Sequence, residues 1–149
     1  MTKSNHSETK AAQLLFFAWG VAFLATAGSL YMSEVLHYIP CDLCWIQRIF
    51  MYPLALILGI AFFREEYQII YYALPLAIIG SLFSIYHILV QQFPDTIGSL
   101  AACEAGSCIG DYLYWFGFIT IPMLALTAFI LIIISLLWMK KHASRVSKT

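Results

Sequence analysis

The sequence predicts an all-α membrane protein, a four-helix transmembrane bundle with both termini in the cytoplasm. Three observations carry that prediction. Hydrophobic residues make up 62% of the 149 and charged residues only 11%, where soluble domains carry about 25% charge. The charges stand in short clusters separated by long uncharged runs. Seven of the eight Lys and Arg fall on one side of the runs they flank. The net charge is zero, which leaves no basic surface for nucleic acid and excludes that class of partner. The length allows one membrane domain, residues 1–149.

The uncharged runs map the spans, because an ionised side chain at the bilayer centre costs roughly 2.5–3.5 kcal/mol on insertion scales. Ala11 to Ser33 gives 23 residues, and the runs after Glu66 and after Asp111 give 28 each. All three exceed the roughly 20 residues that cross a hydrocarbon core. The run Ile49 to Phe63 has only 15 residues, so the second span is extended back through Arg48 to Cys44. The expected spans are therefore 11–33, 44–63, 67–91 and 112–139, with outer loops at 34–43 and 94–111. Helix is the default because open strands cannot satisfy their backbone groups in lipid. Pro53, Pro75 and Pro122 lie inside the second, third and fourth spans and are expected to kink them. Gly28, Gly59, Gly80 and Gly117 either admit close helix contact or reflect the ordinary glycine content of membrane helices.

Orientation follows from the basic residues. Lys3, Lys10, Arg64, Lys140, Lys141, Arg145 and Lys148 share one side, which the positive-inside rule assigns to the cytoplasm. The opposite side receives Glu34, Asp42, Asp95, Glu104 and Asp111, all acidic. Tyr and Trp residues gather at both ends of the spans, as interfacial belts do. Ala25-Thr26-Ala27 before Gly28 offers a rival reading of the first span as a cleaved signal peptide, but its apolar run outlasts the 7–15 residues of such a segment.

This topology puts Cys41, Cys44, Cys103 and Cys108 together at the outer face, where disulfides persist. Two pairs of cysteines admit structural disulfides, or a zinc site of four thiolates, as well as redox chemistry. The first pair favours chemistry. Cys41-Asp42-Leu43-Cys44 follows Pro40 and opens a helix, and the unsatisfied amides and positive dipole there stabilise a thiolate. A two-residue spacer closes so small a ring that its value as a chain staple is minimal. Arg48 lies four residues after Cys44 and seven after Cys41, on their helix face. It either snorkels to the headgroups or stands as a fixed cation beside a thiolate, able to donate to a carbonyl of a lipid-soluble acceptor. A membrane quinone is the natural two-electron sink, since no haem-type or flavin motif is present in the chain.

Cys41-Asp42-Leu43-Cys44-Trp45-Ile46-Gln47-Arg48 resembles the Cys-x-Leu-Cys-x-x-Gln-Arg signature of the DsbB/BdbC family of membrane thiol-disulfide oxidoreductases. The resemblance covers the whole chain: four spans, one cysteine pair before the second and another before the fourth. It implies that Cys103 and Cys108 exchange with a secreted or periplasmic thioredoxin-like thiol oxidase of the DsbA/BdbD kind. It also implies that Cys41 and Cys44 reoxidise that loop pair, and that Cys44 passes the electrons to menaquinone or ubiquinone with Arg48 at the quinone site. His87, near the outer end of the third span, is similar to a family histidine near the quinone. The location implied is the bacterial cytoplasmic membrane, with the cysteines on its extracytoplasmic face. No metal ligand is assigned. The four-residue spacer Glu104-Ala105-Gly106-Ser107 is shorter than the Gram-negative loop and resembles the BdbC branch. An enzyme resembling vitamin-K-epoxide reductase would also couple thiols to quinones, but its Cys-x-x-Cys belongs near the last span. A non-enzymatic scaffold with structural disulfides or zinc is the third alternative.

Overall fold

The computed structural model describes residues 2–37, 41–93 and 120–146. Four long helices account for nearly all of them: α1 (Thr2–Glu34), α2 (Asp42–Arg64), α3 (Ile70–Gln92) and α4 (Ile121–Val146). A single 3-10 turn, Tyr67–Ile69, leads into α3. No strand occurs among the described residues. Each helix contains an apolar stretch long enough to cross a membrane: Thr9–Glu34, Asp42–Arg64, Tyr67–Gln92 and Ile121–Lys141.

The helices pack in a ring, α1 on α2, α2 on α3, α3 on α4 and α4 back on α1. Small residues let them approach. Ala11, Leu15, Ala18 and Ala22 form the buried stripe of α1, and Ala73, Ala77, Gly80, Ser81 and Ser84 that of α3. Lipid tails are as apolar as leucine, so close packing rather than hydrophobic expulsion holds such a bundle together. The larger side chains turn outward: Leu24, Leu56 and Phe63 are 71%, 69% and 77% exposed, which suits a lipid-facing surface. The spans' serines bond back to their own helices, Ser84 to the Gly80 carbonyl at 3.0 Å and Ser135 to that of Leu131 at 2.8 Å.

Two of the four glycines singled out above prove to be contact points. A Cβ on Gly80 would lie 2.5 Å from the Phe129 ring, and one on Gly59 would lie 2.8 Å from the Trp19 indole nitrogen. Gly28 has open space around it, and Gly117 lies outside the described residues. Pro53 and Pro75 fall within α2 and α3 as expected. Pro122 lies in the first turn of α4, which begins at Ile121, where a missing N–H costs little. The part of the fourth expected span before Thr120 lies outside the described residues.

α2 and α3 form a tight hairpin. Glu65 closes α2 in the left-handed conformation at φ 53°, and the Glu66 amide donates to the Ala61 carbonyl at 3.0 Å.

Gly80→Ala is expected to destabilise the bundle by about 1–3 kcal/mol through overpacking against Phe129, despite the roughly 1 kcal/mol that alanine gains in helix propensity. Gly28→Ala should be neutral or mildly stabilising, within about 1 kcal/mol. Equilibrium unfolding in mixed detergent micelles measures both, and equal effects at the two positions would contradict this packing.

Candidate functional site

The N-terminal end of α2 and the C-terminal part of α3 converge on Cys41, which is the N-cap residue of α2 with an extended backbone at φ −71° and ψ 167°. Its carbonyl accepts the first helical bond, from the Trp45 amide at 3.0 Å. Cys41, Leu43 and Val90 form a small buried cluster of their own, with Cys44, Ile46 and Tyr86 packed around it. Cys41 and Cys44 are both reduced thiols, the first buried and the second half-buried. The two sulfurs, Cys41 Sγ and Cys44 Sγ, are in hydrogen-bond contact at 2.9 Å.

His87 reaches this pair from α3. Its ring is only 1% exposed, with Nε2 3.7 Å from Cys41 Sγ and Nδ1 3.2 Å from the Gln47 amide nitrogen. With that amide donating to Nδ1, the imidazole proton sits on Nε2 and is donated to the Cys41 sulfur. Gln47 is itself buried at 5% exposure. The result is one hydrogen-bonded line, Gln47 to His87 to Cys41, joined at the sulfur by the Cys44 thiol. Leaving one of these buried polar groups unpaired would cost about 1–3 kcal/mol.

The line of donors sets the charge on the pair. The Cys44 thiol beside it, helped by the His87 ring and the Cys44 backbone amide, holds Cys41 down from an ordinary thiol value of 9.0 to about 4, against the opposing effect of burial. In the reduced pair the thiolate therefore rests on Cys41 and the remaining proton on Cys44. Because the folded value is the lower one, the thiolate's stabilisation of the reduced pair is complete above pH 9 and is lost as the pH falls through about 4.

Arg48 takes the other side of α2. Its guanidinium donates to the Ser29 carbonyl of α1 at 3.2 Å and to the Ser33 hydroxyl, and lies over the Trp45 ring with its centre 5.5 Å from the centroid. The cation expected beside the thiolate is thus clamped to α1, and the group that faces Cys41 is His87. At about 100° per residue, Gln47 lies about 60° to one side of Cys44 around the helix and Arg48 about 40° to the other. Cys44 stands between an α3-facing hydrogen-bond line and an α1-facing cation. The expected pair Cys103 and Cys108 lies outside the described residues. Sequence reasoning gave no role to Gln47; the available signal was a polar residue one turn after Cys44 in an otherwise apolar helix.

One turn inward from this cation, on the two helices that Arg48 joins, the hydroxyls of Tyr52 and Thr26 are buried with no hydrogen-bond partner. A guanidinium and two unpaired hydroxyls along the α1–α2 seam fit an acceptor that carries carbonyl oxygens.

Alkylation of Cys41 by iodoacetamide, mapped by mass spectrometry on the reduced protein, should change less than about twofold between pH 6 and 8, where an ordinary thiol gains about 100-fold. His87→Ala should move the inflection toward higher pH. A rate that climbs tenfold per pH unit in the unmutated protein would contradict the thiolate assignment.

A sequence model of the family described as disulfide bond formation protein DsbB matches residues 10–139. The disulfide bond formation protein C of Bacillus subtilis strain 168 is 52% identical over 130 residues, covering 87% of this chain and 94% of the relative. A probable disulfide formation protein C 1 of Bacillus anthracis is 51% identical over 125 residues, covering 84% and 90%. A probable disulfide formation protein of Coxiella burnetii is 47% identical over 116 residues, covering 76% and 78%. No solved structure matches significantly.

Proposed function

The chain belongs to the DsbB family of disulfide bond formation proteins, and from that membership we propose how a multi-pass membrane thiol-disulfide oxidoreductase works with the residues described. The observation that carries the proposal is the meeting of Cys41 with Cys44 at 2.9 Å and with His87 at 3.7 Å at the N-terminal end of α2.

The reaction is a relay of exchanges. A reduced extracytoplasmic dithiol, belonging to a thioredoxin-like thiol oxidase of the DsbA/BdbD kind, attacks the Cys103–Cys108 disulfide. A mixed disulfide forms, its second thiol resolves it, and the partner leaves oxidised. The loop dithiol then attacks the Cys41–Cys44 disulfide, so the bond between Cys103 and Cys108 re-forms while the first pair takes up the two electrons. Cys41 is the better leaving group, because the donors around it stabilise its thiolate, so attack falls on Cys44 and releases Cys41. His87 holds that charge through Nε2 while Gln47 fixes its tautomer.

The two electrons then leave through Cys44, which lies on the Arg48 side of the site. A membrane quinone, menaquinone or ubiquinone, supplies the terminal two-electron acceptor when bound. Arg48 would hold it by a carbonyl oxygen, with Tyr52 and Thr26 available as further donors. Ser29 and Ser33 hold the guanidinium against α1. The acidic loops and the cysteines face the extracytoplasmic side of the bacterial cytoplasmic membrane, and both termini face the cytoplasm. The single membrane domain spans residues 1–149, and the loop 94–111 carries the exchange with the partner.

Quinone reduction followed optically, with the purified protein and a reduced thioredoxin-like dithiol, tests the relay. Cys44→Ser should lower turnover by at least about 100-fold. Arg48→His should raise the KM for quinone about tenfold, a loss of about 1.4 kcal/mol, while leaving exchange between the two cysteine pairs intact. Full activity in the Cys44→Ser protein would overturn the relay. Orientation is tested separately in spheroplasts: external protease should spare a tag placed after Thr149, while a membrane-impermeant maleimide should label Cys103 and Cys108 after reduction. The opposite pattern would invert the topology.

A further inference from the structure

The three reactive groups at the outer end of the bundle also have the composition and spacing of a metal site. Cys41 Sγ, Cys44 Sγ and a ring nitrogen of His87 all lie within 4.8 Å of one another. Two sulfurs and one imidazole form a donor set that zinc uses in sites with an open fourth position. Tetrahedral zinc, with Zn–S about 2.3 Å and Zn–N about 2.0–2.1 Å, requires S···N of about 3.6 Å and S···S of about 3.8 Å. The Cys41 Sγ···His87 Nε2 separation is 3.7 Å, already at that spacing. The sulfurs stand 2.9 Å apart and need to part by roughly 0.9 Å to match zinc geometry, a change within reach of a small turn of the half-buried Cys44 side chain.

Charge and the surrounding shell agree with this spacing. A divalent cation with two thiolates and a neutral imidazole is a neutral unit, suited to a pocket lined by Leu43 and Val90. Gln47 can hold the imidazole in either tautomer. Its amide nitrogen now donates to Nδ1; turned over, its carbonyl oxygen accepts from Nδ1–H and leaves Nε2 bare for a metal.

We propose that Cys41, Cys44 and His87 form a binding site for a thiophilic divalent cation of the zinc class, present only when the cysteine pair is reduced, with Gln47 orienting the imidazole. Binding changes no oxidation state. The cation takes the Cys41 thiolate, displaces the Cys44 thiol proton to solvent, and takes His87 Nε2 as its proton moves to Nδ1. Oxidation to the disulfide removes both sulfur ligands and releases the metal. A metal-held dithiol can neither attack a disulfide nor give up electrons, so on the relay reading the cation is a reversible stop that selects the reduced enzyme.

Titration of the purified Cys103→Ser/Cys108→Ser protein with Co²⁺ and then Zn²⁺, with no quinone present, tests the site apart from the relay. The reduced protein should bind one Co²⁺ per chain with a thiolate-to-cobalt charge-transfer band that Zn²⁺ abolishes, and the oxidised protein should bind none. His87→Ala should weaken binding at least tenfold, and Gln47→Leu about 10–100-fold. In the unmutated protein, Zn²⁺ should protect Cys41 and Cys44 from alkylation, a readout that does not depend on any variant folding. Equal metal uptake by oxidised and reduced protein, indifference to His87→Ala, or no protection of the two thiols would each overturn the proposal.

Discussion

A bilayer offers a buried polar group no water, and that constraint shapes every part of this molecule. It makes the backbone helical, sends Ser84 and Ser135 back to their own carbonyls, and confines charge to the ends of the spans. It also governs the site. Gln47 and His87 are nearly inaccessible, so their polar atoms answer one another, and among the described residues the group that meets the far side of the imidazole is the Cys41 sulfur. The same scarcity of partners that forces helix formation therefore aims a proton donor at a cysteine.

The reactive end is asymmetric about α2. Toward α3 lie a thiolate and its imidazole; toward α1 lie a guanidinium and the serines that anchor it. Cys44 stands between them, which is where a residue must be if it is to receive electrons from one direction and release them in the other. Arg48 is committed to α1, so the groups that meet the Cys41 sulfur are Cys44 and His87, and the cation is left to whatever docks along the α1–α2 seam.

The spans were legible because charge is so costly in lipid: Lys10, Glu34, Glu66 and Lys140 mark the limits of the apolar stretches to within a residue or two. The octapeptide from Cys41 to Arg48 pointed to the candidate site and carried the family for the same chemical reason, since few other residues in those spans are polar. Spacing alone misdirected the detail. Seven residues from Cys41 to Arg48 is a same-face interval only within a helix, and Cys41 is an extended cap that precedes the first turn. Gln47, with no such regular interval to Cys41, became its second neighbour through His87. Pro122 was likewise read by position in an uncharged run, which cannot reveal that the helix starts at Ile121. The seating of Phe129 on Gly80 depends on the pairing of α3 with α4, which no local pattern encodes.

The α2–α3 hairpin acts as a caliper. Both helices have 23 residues, and the turn between them is held by the left-handed Glu65 and the bond from Glu66 to Ala61. At the end away from that turn, Cys41, the residue before α2, meets His87, five residues before the end of α3. One residue inserted in either helix would advance everything beyond it by about 1.5 Å and rotate it by about 100°, carrying the imidazole off the sulfur. The hairpin can therefore drift in sequence far more readily than in length. Substitutions along its lipid face leave the alignment untouched, whereas a single insertion or deletion between Cys44 and His87 breaks the meeting of two side chains that lie at opposite ends of the count.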